Sequence, residues 1–89
     1  MSASKYTIVN VIRNGIATQE YKERAADCQT FVVGARNVIT AMVRDYNSIS
    51  WDVAESIVSA ESIAPFGDTV TFIDTDCTVY VASQVWERN

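Results

Sequence analysis

The 89-residue chain contains no histidine. That removes the commonest general base, the histidine-activated serine and cysteine nucleophiles, and the usual zinc ligand. Two cysteines, Cys28 and Cys77, are too few ligands for a zinc site. The three glycines stand at positions 15, 34 and 67, so no glycine-rich phosphate loop can form. No apolar run reaches the roughly eighteen residues of a membrane span. No basic cluster appears either. Eleven acids outnumber seven bases, for a formal net charge of −4. The electrostatic footprint of a direct nucleic-acid binder is missing. These absences predict a protein that is not an enzyme and carries no cofactor or metal.

Two motifs near residue 75 remain to be weighed. Asp74 and Asp76 in "DTDC" have the spacing that opens a calcium loop, but the glycine and distal glutamate of such a loop are missing. The stretch reads as a polar hairpin turn. Negative neighbours raise a thiol pKa, so Cys77 reads as a buried strand residue. Cys28 is read in the same way, with both thiols reduced. No positive segment followed by an apolar one opens the sequence. The expected location is the cytoplasm, or the host cytoplasm if the protein is viral.

What the sequence does contain is an ordinary apolar fraction of 48%. The expectation is a single domain over residues 1–89 with one core and little room for a deep pocket. "KYTIVNVIR" is rich in β-branched and aromatic residues, Asn14-Gly15 follows, and "IATQEYKE" returns. Asn-Gly is the preferred pair for a type I′ turn. A two-residue loop pairs Arg13 with Ile16, Ile12 with Ala17 and Ile8 with Tyr21. The first strand is apolar on both faces and is placed centrally; the charged second strand is placed at an edge.

The strongest periodicity runs from Asp27 to Asn47. Cys28, Phe31, Val32, Ala35, Val38, Ile39, Met42, Val43 and Tyr46 form one stripe of a helix, with Asp27 as its N-cap. The opposite stripe holds Val33, Arg36, Thr40 and Arg44. Ser50 caps a second helix, "WDVAESIVSAES", whose narrower stripe continues to Ala64 before Pro65 and Gly67 end it. Thr69–Asp74 and Cys77–Ala82 both alternate, with Thr75-Asp76 as a two-residue turn. That register puts Val70, Phe72, Cys77, Val79 and Val81 on one face and Thr69, Thr71, Thr78 and Tyr80 on the other. The predicted fold is α+β: a four-stranded antiparallel sheet of two hairpins with two helices on one face, in the order ββααββ.

A small acidic domain without a catalytic constellation points to a protein-binding module that covers a partner's surface. Its acid excess suits a partner with a basic surface. Compact phage-encoded inhibitors of host defence, of the anti-CRISPR kind, share this general character, an analogy at the level of class only. The alternatives are a homodimeric structural or adaptor domain and a small-ligand-binding protein. Monomer and homodimer both stay open. Trp, Tyr and Arg are enriched among interface hot spots. The first candidate patch is therefore Tyr80 and Trp86, with Asp74, Asp76 and Glu87 as an acidic rim. The second is the helix face bearing Val33, Arg36, Thr40 and Arg44.

Overall fold

A computed structural model describes residues 3–25, 30–59, 62–66 and 68–88 of the chain. The elements are β1 (Ala3–Arg13), β2 (Ile16–Arg24), α1 (Phe31–Asn47), α2 (Trp51–Ile57), β3 (Ile63–Phe66), β4 (Thr69–Ile73) and β5 (Val79–Arg88). The fold is α+β, but the antiparallel sheet has five strands, not the four expected, in the order β2-β1-β5-β4-β3. The element order is ββααβββ. The extra strand is β3, which the sequence pattern absorbed into the tail of the second helix. That helix already ends at Ile57, with Val58 as its C-cap. Pro65 lacks an N–H and would break a helix, yet an edge strand tolerates it. Phe66 pairs with Thr69 and Ile63 with Phe72.

The first hairpin forms as its Asn-Gly pair dictates. Asn14 has φ 53° and Gly15 has φ 78°, the two positive values of a type I′ turn. Arg13 pairs with Ile16 and Ile12 with Ala17. Further along, the register shifts between Val9 and Asn10: Asn10 pairs with Gln19 but Val9 with Tyr21. Ile8 consequently opposes Lys22 and not Tyr21. Glu20 is the extra residue of a β-bulge, and a bulge re-aims side chains. Tyr21 packs against the core, and its neighbour Glu20 also reaches the helix side, where it meets Tyr46.

The last hairpin differs from expectation at its turn. Asp74 N–H donates to the Thr78 carbonyl at 2.9 Å, and Cys77 N–H donates to the Asp74 carbonyl at 3.0 Å. The loop therefore spans Thr75–Cys77, three residues instead of two. Cys77 takes the left-handed conformation, φ 68°, at the position that usually calls for glycine. It is exposed, which corrects its reading as a buried strand residue. One extra loop residue inverts the parity of everything after it. Tyr80 and Ala82 oppose Phe72 and Val70 on the core face. Val79 and Val81 turn to the other face with Thr71 and Ile73.

The first helix begins at Phe31. Thr30 is its N-cap, its hydroxyl accepting from the Val33 N–H at 3.4 Å. The expected cap Asp27, like Cys28, lies outside the described residues. Ser50 caps α2 as expected, accepting from the Val53 N–H at 3.2 Å. Ala35, Ile39, Met42 and Val43 of α1 and Ala54 and Val58 of α2 meet Val9, Val11, Val70, Phe72, Tyr80 and Ala82 of the sheet in one core. Every one of these sheet residues lies on the same face, the one the helices cover.

Candidate interaction surface

Among the described residues, no helix covers the other face of the sheet. Tyr6, Ile8, Asn10 and Ile12 of β1 alternate with the core residues Val9 and Val11 and so point away from the helices. Val79, Val81, Ser83 and Val85 do the same on β5, and Thr69, Thr71 and Ile73 on β4. These residues are half-buried by their neighbours, save Ile73, which is 63% exposed. Among the described residues of the strands, charge on this face is confined to one corner. There Lys22 Nζ donates to Glu87 Oε1 at 2.7 Å and lies 5.1 Å from the Tyr6 ring centre. Beside it the Arg24 guanidinium donates to Ser4 Oγ at 2.8 Å. None of these aliphatic residues was a candidate from sequence, although one signal was present. A central strand that is apolar on both faces has one apolar face to spare wherever the helices form a single layer.

The first sequence-derived patch is not assembled. Tyr80 is 2% exposed, its ring stacked on Tyr46 at 6.4 Å and tilted against Phe72 at 5.9 Å. Burial, with Asp74 close by, pushes its hydroxyl up to about 12. Tyr80 is a core residue, because the three-residue loop reversed its side of the sheet. Asp74 is buried as well, its Oδ1 accepting from the Thr75 N–H at 2.7 Å. Asp76 is exposed, and the Thr78 N–H at 3.0 Å holds its carboxyl below the usual range. Trp86 is 68% exposed with Lys5 Nζ 5.3 Å from its ring centre, and Glu87 is exposed beside it. Tyr80 and Trp86 stand six residues apart on β5, roughly 20 Å at about 3.3 Å per residue. Asp74 and Asp76 are thus at one end of the sheet, Trp86 and Glu87 at the other.

The second patch is largely taken up by α2. Thr40 is 1% exposed and its hydroxyl donates to the Arg36 carbonyl at 2.7 Å. Arg36 Nε donates to the Val58 carbonyl at the end of α2, at 3.4 Å. The Arg44 guanidinium lies 5.7 Å from the Trp51 ring centre, and the Trp51 indole N–H donates to Glu55 at 3.2 Å. Val33 alone of the four is exposed, at 50%. Arg36, Thr40 and Arg44 form a seam between the helices. Their polar character suits a side of α1 that faces a second helix and not the sheet.

Two hollows are lined by described residues. A cleft of about 470 Å³ separates the two hairpin tips, lined by Arg13, Asn14, Gly15, Asp76, Cys77 and Thr78. It holds the Cys77 thiol and the Asp76 carboxylate, which accepts from the Thr78 N–H. A groove of about 450 Å³ runs between β2 and α1 over Tyr21, Val38, Ala41 and Met42. Its two acids are already engaged: Glu20 by Arg13 at 2.6 Å and Asp45 by Arg44 at 2.9 Å. Among the described residues no three His, Cys, Asp or Glu side chains converge as a metal site would require. No helix among them is long and apolar enough to cross a membrane. Comparison with protein-family models, curated proteins and solved structures finds no match for this chain.

Proposed function

We propose that this chain is a protein-binding module and that its docking surface is the helix-free face of the sheet. The supporting observation is the line Ile12, Val79, Ile73 and Val81 across three neighbouring strands with no charge among them. A sheet face kept only for solvent carries polar residues in alternation with the core. Here the open face of β1 and β5 carries Ile8, Ile12, Val79, Val81 and Val85, with Asn10 and Ser83 as uncharged polar residues among them. A flat, neutral, β-branched surface matches the uncharged core of a protein interface, with its polar rim at the Lys22–Glu87 corner. Such a module acts by covering a surface, and needs no group that changes covalently.

The test compares two variants. Val81→Asp places a charge at the centre of the open face without touching the core. Trp86→Ala alters an exposed aromatic on the opposite parity. Both should keep the circular dichroism and cooperative melting of the parent. Complexes formed by the protein should be lost with Val81→Asp and kept with Trp86→Ala. If Val81→Asp binds as the parent does, the docking surface is elsewhere.

A further inference from the structure

We infer that the open sheet face docks on a second copy of the same chain, about a two-fold axis that runs along β5. The inference rests on the docking surface just proposed and names its occupant. The sheet order β2-β1-β5-β4-β3 puts β5 in the middle. A rotation about that strand therefore lays β1 of one copy over β4 of the other, and β2 over β3. Strand positions along the axis are unchanged by the rotation, so paired rows meet their own rows. Ile12 and Ile73 sit in the same row on either side of Val79. In the dimer each Ile12 faces an Ile73, and Val79 faces Val79. One row further, Val81 faces Val81, with Asn10 over Thr71. In these two rows apolar residues meet apolar residues and uncharged polar residues meet each other, the self-match an isologous interface requires; in the third row Ser83 faces Ser83 and Ile8 lies over Thr69.

The charges fit the same axis. Lys22 and Arg24 lie on the outer strand β2, level with Ile8 and Tyr6. The rotation brings this corner over the turn between β3 and β4 of the other copy, where Asp68 is exposed. Base then meets acid at both ends of the interface. Glu87 falls close to the axis, where repulsion between copies is offset by the Lys22 that each Glu87 already holds at 2.7 Å.

The area is adequate. β1 and β5 pair over ten registers and the sheet is five strands wide. At about 3.3 Å per residue and about 4.8 Å per strand, the face spans roughly 500–600 Å² of plane. Side-chain relief raises the accessible area toward the ~800 Å² per partner of a standard interface. Two such sheets stack with their strands within about 30° of each other, the aligned packing of β-sandwiches.

Sedimentation of the full chain across a dilution series tests this. The parent should sediment at twice its 9.9 kDa mass and dissociate on dilution. Val81→Asp, with melting intact, should sediment as a monomer. Asp68→Lys should weaken the dimer by about tenfold, since it sets like charges against each other. Should Val81→Asp fail to fold, cross-linking decides instead. In a Cys28→Ser, Cys77→Ser background, Val81→Cys should be joined to its own copy by a short bis-maleimide, and Trp86→Cys should not. A parent that stays monomeric at the highest concentration overturns the inference, as does a dimer that persists in folded Val81→Asp or joins through Trp86→Cys. A monomeric parent that holds another protein through Val81 leaves the docking surface standing and refutes only the second copy. A monomer that binds nothing through Val81 refutes both.

Discussion

Tyr46 on α1 donates its hydroxyl to Glu20 on β2 at 2.6 Å, while Arg13 grips the other oxygen of the same carboxylate at 2.6 Å. The contact ties the last turns of the long helix to an edge strand. It exists because the bulge at Glu20 turns that side chain to the helix side of the sheet. The Tyr46 hydroxyl, and after it Arg13, hold the Glu20 carboxyl below its ordinary range.

Tyr46→Phe should therefore lower stability by about 1 kcal/mol, the size of a typical hydrogen bond. The acid dependence follows from the depressed Glu20 value. Its contribution is present above the unfolded-state pKa and lost as pH falls through the lower folded one. Urea unfolding on the acid side should show a steeper loss in the parent than in Glu20→Gln. Equal slopes would mean the ion pair adds nothing to the fold.

Tyr80 gives the opposite sign at alkaline pH. Its folded pKa of about 12 lies above the unfolded value of 10.0. In that window the folded state holds the proton that the unfolded state releases, so stability falls as pH rises from about 10 to 12. The loss should be on the order of 2 kcal/mol, since one pKa unit corresponds to about 1.4 kcal/mol. Tyr80→Phe should flatten this part of the alkaline stability profile. Ultraviolet titration should show one tyrosine ionising last, and that one should disappear in the variant.

Gly15 tests backbone strain apart from packing. A Cβ built there meets nothing within 4 Å, yet φ is +78°. Gly15→Val should destabilise by roughly 1–2 kcal/mol from conformation alone. An unchanged melting temperature would contradict the type I′ turn.

Cys77 should label at once with a thiol reagent in the native state, because its side chain is exposed. This reverses the slow reaction expected of a buried thiol. At φ 68°, Cys77→Gly should be neutral or stabilising, while Cys77→Val should cost about 1 kcal/mol or more.

The structure was legible in the sequence where one residue pair has one strong backbone preference. Asn14-Gly15 announced its turn type, and Ser50 its cap. It was illegible where the outcome depended on a count of one. A bulge at Glu20 and a third loop residue at Cys77 each shift parity by one position. Alternation alone cannot register either. The Cys77 loop had the larger effect, since it moved Tyr80 into the core and Val79 and Val81 out of it. β3 was hidden for another reason: Ala64 continues a helical spacing by chance, and pairing with β4 outweighs that local pattern. For the interaction surface, Trp86 and Asp76 are exposed, but side-chain type said nothing about which of them share a surface, and Trp86 stands on the parity of Tyr80 and Ala82, not on the open face.

The two longest strands, β1 and β5, lie side by side in the middle of the sheet, paired from Ala3 with Arg88 to Ile12 with Val79. Each hairpin can close from near neighbours, but this central ladder closes only when nearly the whole chain has looped back on itself. Closure of so long a loop is entropically costly, and non-local pairing slows folding. Helix α1 packs on β4 and β5, so its apolar stripe also waits for the final strand. A nascent chain halted before Val79 holds the β1–β2 and β3–β4 hairpins and an unburied amphipathic helix, and the core assembles once β5 has emerged.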